Sequence, residues 1–551
     1  MYLDYQEYII NGKKYHRALL RESYRENGKI LKKTIANISH CSKEEILSIK
    51  IALENKQNLA YLEQLVKSKT VNGKIAGPVI ALYQVSKHLG IDKILGNTLE
   101  AKHILWLVLS RLIEQGSRLS SVRLAKYHYG CEILGIEKMN ENILYDSMIW
   151  MYNNKERIEG NIFKNWITRN PHKQNKTLFL YDVSSSYLEG TQNEFAAWGY
   201  NRDKKKGKMQ IVYGLLTDDE GEPLSVEVFD GNTSDTKTVS RQIAKIKNLY
   251  HCEHITFVGD KGMIKSKQIK QLNEQGFNYI TSCTKAQIET LIKRDIIQLE
   301  LFTDEICEIE DPQENLRYIL HRNPYRAEEI ADSRQSKINS IQEKIQQAND
   351  YLHAHPKAKT EVQHRKLKEY VSKLKLNDVI EIIVSARNIT IKINQENIAE
   401  LSKFDGCYAI KTDLPKEVLS MKSIHKGYKS LAEIEWAFRT QKNFLEIRPV
   451  YLRKAQRTVA HLMICMLAYK IELYLRECWK DLDFTVKEGI SALYTIGTNV
   501  IQTGDSFVIR PLTPNTQCEN LLNRINVKIP EFLPYKNVNV DTYKKLRDRR
   551  N

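Results

Sequence analysis

The spacing of hydrophobic residues changes several times along the chain and divides it into regions. Residues 1–75 begin with two basic strand-like segments around the turn RENGK. A helix follows, and Ser42 begins it with the capping-box pattern Ser-x-x-Glu. From 76 to 175 apolar residues recur at helical spacing, as in AKHILWLVLSRLIEQ. This second region is predicted to be mostly helical, either a plain bundle or a bundle that contains a helix-turn-helix.

Residues 176–283 show short apolar runs that are typical of buried strands. The segments TLFLYDVSSSYLEG and GKMQIVYGLLTDDEGEPLSVEVFDG predict three strands, the last two joined by the turn TDDEGEP. An amphipathic helix, the strand HITFVG, a second helix and the strand NYITSC follow. The order of three strands, helix, strand, helix and strand predicts a mixed α/β sheet.

This regular pattern is interrupted between 284 and 402. Two hairpins flank a pair of charged helices around Pro356, and we interpret the whole segment as a large α+β insertion. Residues 403–480 then return to a strand, FDGCYAIKTDL, and to helices, of which YKSLAEIEWAFRTQKN is predicted to be a single one. Residues 481–551 form a C-terminal region with a possible last strand in NVIQTGDSFVIRPL and the basic tail TYKKLRDRR.

Composition narrows the class of protein. The 551 residues are 42% hydrophobic and 27% charged, which indicates a folded chain, and the net charge of +17 favours a polyanionic partner, nucleic acid before an anionic membrane. No apolar stretch reaches the length of a membrane span, and the N-terminus has no secretion signal. The nine cysteines include no C-x-x-C pair, which favours reduced thiols in the cytoplasm.

Three acids are candidates for a metal site. Asp182 and Asp260 each follow an apolar strand, where ligands gather in open α/β sheets, although either could simply cap a turn. Glu435 lies on the later helix, where it could instead form a surface pair with Arg439. If the three carboxylates converge, a divalent cation would relieve their repulsion, and Mg²⁺ prefers such oxygen ligands.

Several cations and a phenol could bind phosphate. Tyr428, Glu435 and Lys442 are spaced seven apart and therefore share one stripe of a helix. Lys261 directly follows Asp260. The lysines of NRDKKKGK follow two aromatic residues that could stack on bases, although a solvated loop is the alternative; this cluster comprises Lys204, Lys205 and Lys206 after Trp198 and Tyr200.

The motifs YDVSSSYLEG, VGDKGM and Tyr428-x2-Leu431-x3-Glu435-x6-Lys442 resemble, in that order, the three motifs of DDE transposases from bacterial insertion sequences. The closest resemblance is to the branch whose last motif is Y-x2-R-x3-E-x6-K. Supporting segments are VFDGNTSDTKT, FDGCYAIKTD and IRPVYLRKAQRTVAHLMICMLAY. The resemblance covers about 177–475, and the N-terminal region more loosely.

This resemblance implies a ribonuclease H-like core in which Asp182, Asp260 and Glu435 bind two Mg²⁺, or Mn²⁺ in their place. It also implies that Tyr428 and Lys442 contact transposon-end DNA and that the protein acts as at least a homodimer. The signature arginine is Leu431 here, and Arg439 is a candidate to supply the cation instead.

The expected activity is binding of terminal inverted repeats, hydrolysis of the phosphodiester and strand transfer in the bacterial nucleoid. The alternatives are a metal-dependent nuclease of the same fold and a DNA-binding protein that lacks catalysis. The chain has no G-x-x-x-x-G-K-[ST] for ATP and no G-x-S-x-G. Its sequence does not indicate the terminal repeat, the target preference or the route of excision.

Overall fold

The computed structural model describes residues 1–10, 13–26, 28–54, 56, 69–173, 177–250, 255–503 and 506–542. The chain forms two compact units. The first comprises Met1–Ile80, Ala125–Glu137 and Ala492–Asn539, and the second comprises Ala81–Leu124, Lys138–Ser491 and Val540–Asn551. The predicted basic tail from 543 onward lies outside the described residues.

The strands are β1 (Tyr2–Ile10), β2 (Lys13–Glu26), β3 (Lys29–Asn37), β4 (Lys69–Asn72), β5 (Lys138–Met139), β6 (Thr177–Tyr187), β7 (Gln210–Thr217), β8 (Pro223–Asp230), β9 (Ile255–Val258), β10 (Asn278–Ser282), β11 (Cys307–Asp311), β12 (Leu316–Arg322), β13 (Ile380–Ser385), β14 (Asn388–Ile393), β15 (Cys407–Thr412), β16 (Thr498–Thr503), β17 (Ser506–Pro511) and β18 (Asn539–Val540).

The α-helices are Lys43–Glu54, Gly77–His88, Ile91–Leu95, Leu99–Ile113, Arg118–Tyr127, Gly130–Leu134, Glu141–Asn153, Lys155–Arg169, Asp235–Tyr250, Ser266–Glu274, Lys285–Lys293, Pro324–Ala354, Thr360–Lys373, Gln395–Ser402, Met421–Lys429, Leu431–Asn443, Ala455–Trp479, Val486–Ala492 and Thr516–Arg524. Short 3₁₀ helices lie at Pro171–Lys173, Leu299–Leu301 and Leu493–Thr495.

The first unit contains two small antiparallel sheets, in the orders β1-β2-β3 and β17-β16-β4. The predicted hairpin around RENGK is β2–β3, and β1 is a further strand that the pattern did not indicate. The predicted last strand is in fact a hairpin, β16–β17. The capping box is present, because the Ser42 N–H donates to Glu45 Oε2 at 2.7 Å and the Glu45 N–H donates to Ser42 Oγ at 3.2 Å.

The second unit is built on a mixed sheet in the order β11-β12-β15-β10-β9-β6-β7-β8. Strands β6, β7 and β8 are antiparallel to their neighbours in sequence, whereas β9 runs parallel to β6 and β10 runs parallel to β9. Helices Asp235–Tyr250 and Ser266–Glu274 separate the later strands. The structure therefore confirms the predicted mixed α/β sheet and has its elements in the predicted order.

The segment interpreted as an insertion has two structural parts. Its first hairpin, β11–β12, extends the main sheet because β12 pairs with β15. Helices Pro324–Ala354 and Thr360–Lys373 and the hairpin β13–β14 form a second core of their own; its buried residues include Ile338, Ile341, Ile345, Leu367, Val371 and Ile389. The boundaries at 284 and 402 stay a prediction.

Helix Ala455–Trp479 is the one helix among the described residues that is long and apolar enough to cross a membrane. Because 89% of its most apolar window is buried inside the protein, it is typical of the core helix of a folded domain. Its buried Lys470 forms an ion pair with Glu222, which also pairs with Arg169.

Candidate active site

The two aspartates are placed side by side by the register of neighbouring parallel strands. Leu178 pairs with Thr256 and Leu180 with Val258, which is the last pair of β6 with β9. Asp182 and Asp260 each lie two residues beyond that pair. Asp182 does not end its strand as predicted, because β6 continues to Tyr187 along β7. The pairing of β6 with β9 ends before Asp182. At Asp182, this edge of β6 is therefore not covered by β9.

The backbone around both aspartates leaves their carboxylates facing the same space. Asp260 begins a tight turn through its carbonyl oxygen, which accepts hydrogen bonds from the N–H groups of Met263 and Ile264 at 2.9 and 3.1 Å. Its carboxylate is therefore not needed to cap the turn, and its side chain is exposed. Oδ1 of Asp182 accepts from the N–H of Val183 at 2.7 Å.

Glu435 approaches the sheet on a helix of its own. The stretch from Tyr428 to Asn443, predicted as one helix, is divided at Ser430 into the helices Met421–Lys429 and Leu431–Asn443. The first helix meets a side chain of β6 at Gly427, where an added Cβ would lie 2.6 Å from Leu178 Cδ1. We call the second one the glutamate helix; its Phe438 packs edge-on against Tyr213 of β7, with ring centroids 5.4 Å apart.

The three acids line one cavity of about 500 Å³. Tyr428 lines it as well, and its hydroxyl donates to Ser282 Oγ at 2.7 Å. The remaining lining is rich in lysines and includes Lys261, Lys285, Lys429, Cys283, Ile288, Phe404, Cys407, Tyr408 and Leu431. The cavity therefore combines a set of carboxylates with cations that could bind the phosphates of a polyanion.

Charge is crowded at the aspartates. Burial raises the pKa of Asp182 to about 7, and the carboxylate of Asp260 contributes to the rise. The pKa of the Tyr428 phenol is also raised, first by burial and then, among other groups, by Asp260. The carboxylate of Asp260 therefore affects both of these neighbouring groups.

The donor chemistry of the cavity fits a divalent cation, because the acids offer only oxygen ligands and their own repulsion would be relieved by positive charge. In this conformation they are not drawn together into a metal cage: among the described residues no group of three His, Cys, Asp or Glu side chains is close enough to hold an ion. The shared cavity defines a candidate site.

The two cations predicted on the glutamate helix, Lys442 and Arg439, have their contacts outside the cavity. Lys442 pairs with the buried Asp203 at 2.9 Å, and Arg448 pairs with the same carboxylate. Burial lowers the pKa of Lys442 despite this pair. The Arg439 guanidinium is exposed and lies over the Trp436 ring, 5.3 Å from its centroid. Neither Lys442 nor Arg439 lines the cavity.

The basic loop between β6 and β7 is exposed at Lys204, Lys205 and Lys206. Lys205 lies over the Tyr187 ring at 5.9 Å. Trp198 and Tyr200, before this loop, are 60% and 82% exposed. Both rings border a second cavity of about 550 Å³, which is lined in addition by polar and basic residues such as Arg202, Asn232, Ser234 and Lys265.

Sequence reasoning missed several residues of the first cavity. Ser282 is the last residue of β10. It could have been predicted as a site residue by the same reasoning that selected the acids at strand ends. Lys429 directly follows Tyr428 in the sequence, but it is not part of the helix stripe formed by residues spaced seven apart. Tyr408 lines the cavity and shares a hydrogen bond of 2.6 Å with His425 of helix Met421–Lys429. It had no sequence signal, because only tertiary packing brings β15 and this helix together.

Comparison with known families gives two matches. The model of the transposase DDE domain matches residues 173–471, which include all three acids. The model of the N-terminal domain of IS1634 family transposases matches residues 9–74. The curated proteins contain no match to the chain.

Proposed function

Since the chain belongs to the DDE transposase family of bacterial insertion sequences, we propose that it binds the terminal inverted repeats of its element and catalyses phosphodiester hydrolysis and strand transfer. The family acts on DNA and generally uses divalent metal ions. The observation that carries the proposal is the single cavity lined by Asp182, Asp260 and Glu435, with two of these acids in register on neighbouring strands.

A ribonuclease H-like core is part of the proposal. The order β8-β7-β6-β9-β10 supports it, because three consecutive antiparallel strands are followed by two strands that run parallel to the first of them. The helical region between 76 and 175 and the sheet β1-β2-β3 are the proposed DNA-binding parts. Joining two transposon ends would require at least a homodimer.

Asp182, Asp260 and Glu435 would hold two Mg²⁺, with Mn²⁺ as a substitute. When bound, such ions activate the attacking oxygen and stabilise the leaving oxygen in phosphoryl transfer. The chain's own contribution is to position the DNA strand. Tyr428, fixed by Ser282, and Lys261 would bind phosphates beside the acids, because both line the same cavity.

Further DNA contacts are proposed outside the cavity. Lys204, Lys205 and Lys206 are exposed and can meet a DNA backbone without rearrangement. Arg439 is exposed as well. Lys442 could reach a phosphate only if it exchanged its pair with Asp203 for that contact.

The test is an assay with Mg²⁺, a duplex that carries the inverted repeat flanking the gene, and a target plasmid. Asp182→Asn, Asp260→Asn and Glu435→Gln should each abolish cleavage and joining while the duplex is still bound. Glu433→Gln, on the same helix but outside the cavity lining, is the matched control and should retain activity. Cleavage without any joined product would instead identify a nuclease, and variants that remain fully active would refute a catalytic role for these acids.

A further inference from the structure

A third cavity, of about 250 Å³, contains two buried arginines. Arg111 comes from helix Leu99–Ile113 and Arg118 from the next helix, and they are only 5% and 6% exposed. Burying a guanidinium is costly unless a carboxylate or another anion compensates it. The two buried guanidinium groups are therefore expected to have an anionic partner.

Among the described residues, no carboxylate is paired with either arginine. The guanidinium of Arg118 donates to the Met148 sulfur at 3.8 Å and to the Gly116 carbonyl at 3.4 Å, neither of which carries a charge. No ion pair joins Arg111 or Arg118 to a carboxylate within the described part of the chain. Burial and then the neighbouring Arg111 lower the pKa of Arg118 to about 9, so the two cations repel each other.

The cavity wall adds further donors. Ser117 and Tyr145 line it, as does Arg448, whose guanidinium also pairs with Asp203. Tyr451 beside them is 72% exposed, which leaves the cavity open to solvent. Outside the lining, Arg457 lies over the Tyr145 ring at 4.3 Å, and its buried Nε has no hydrogen-bond partner among the described residues. Glu446 is the acid of the lining, and its side chain is exposed.

We propose that Arg111 and Arg118 form a phosphate-binding site that takes a backbone phosphate of DNA outside the catalytic cavity. A phosphate supplies the missing negative charge, and its oxygens suit the planar donor fork of arginine. The volume admits a single phosphate group with adjoining sugar atoms rather than a stack of bases. The assignment of that phosphate to DNA rests on the proposed function, whereas the phosphate site itself does not.

The first experiment measures thermal unfolding of the full chain in sodium phosphate and in sodium chloride of equal ionic strength. Phosphate should raise the melting temperature of the wild type, because a ligand that binds only the folded state stabilises it. Arg111→Met and Arg118→Met should lose this rise. They should melt no lower than the wild type in chloride, since each removes an uncompensated buried charge and keeps an unbranched apolar chain. Arg326→Met, at a 64% exposed side chain paired with Glu329, is the control and should keep the rise.

The second experiment measures binding of a duplex DNA over a range of salt concentrations. Each Met variant should bind on the order of ten-fold more weakly, and the slope of log K against log salt should become shallower by about 0.9, as expected for one lost phosphate contact. An equal phosphate rise in wild type and variants would overturn the site. Loss of the rise with unchanged DNA binding would overturn its assignment to DNA and leave a site for free phosphate.

These outcomes are distinguishable from failure of the proposed function. The Met variants keep Asp182, Asp260 and Glu435, so their cleavage per bound duplex should be unchanged. If the acid variants remained active while the phosphate response still depended on Arg111 and Arg118, the catalytic proposal would fail and the phosphate site would stand.

Discussion

Asp182 should make the metal-free protein less stable above neutral pH. Its pKa is raised from 3.8 to about 7 by burial and by Asp260. The unfolded chain therefore releases this proton at lower pH than the folded chain does, and the stability contributed by Asp182 falls as pH rises from about 4 to about 7. Above pH 8 both states are ionised, and the loss is complete and constant.

The size of this loss follows from the shift. A pKa difference of one corresponds to about 1.4 kcal/mol, so the rise in the pKa of Asp182 from 3.8 to about 7 gives an upper limit of ~4 kcal/mol for the loss of stability. The side chain of Asp182 is only half-buried, so water screens part of its charge. We therefore expect a loss of stability of roughly 2–4 kcal/mol. Asp182→Asn removes the charge and keeps the shape, so it should recover this stability.

The assay compares melting temperatures of wild type and Asp182→Asn in EDTA at pH 5 and pH 8.5. The variant should melt several degrees higher at pH 8.5, and this advantage should be much smaller at pH 5. Adding Mg²⁺ at pH 8.5 should stabilise the wild type more than the variant, because the ion removes the repulsion that the substitution has already removed. An advantage of equal size at both pH values would refute the electrostatic explanation.

Two further substitutions test how the surrounding structure is held. Gly427→Ala would place a Cβ 2.6 Å from Leu178 Cδ1, and this buried side chain would have to shift, so the fold should be destabilised by about 1 kcal/mol. Gly497→Ala, whose nearest atom is 3.7 Å away, should have no such cost, and equal melting temperatures of the two variants would contradict this. Asp203→Asn would remove the carboxylate that pairs with Lys442 and Arg448, and this carboxylate is 2% exposed. Its expected cost is about 3–5 kcal/mol in urea unfolding, and a neutral effect would show that these cations find water or another partner.

The sheet from β6 to β10 was predictable because buried strands carry a strong local signal. Their apolar runs and the intervening amphipathic helices fix the type of each element without reference to the rest of the chain. The capping box at Ser42 is likewise local, since its two partners are three residues apart. Local patterns of this kind also led to Asp182 and Asp260.

Features that depend on distant partners were not predictable. The hairpin β11–β12 was assigned to the insertion because its partner β15 comes much later, as in the pair of Tyr318 with Lys411. The pairing of Lys442 with Asp203 spans 239 residues, so sequence spacing alone left Lys442 available for DNA. Arg111 interrupts the apolar segment HILWLVLSRLI, and nothing local indicates that a second buried arginine lies near it.

The position of Leu431 shows how local and distant effects combine at the site. The family signature has an arginine four residues before the glutamate, and here that position lines the cavity with an apolar side chain. Arg439 lies outside the lining and over Trp436, so its role as a substitute for the signature arginine stays a prediction. The cavity instead draws its positive charge from Lys261 and Lys429, and from Lys285 on a separate helix. A phosphate beside the acids would thus meet cations from three elements, namely the turn after β9, helix Lys285–Lys293 and helix Met421–Lys429.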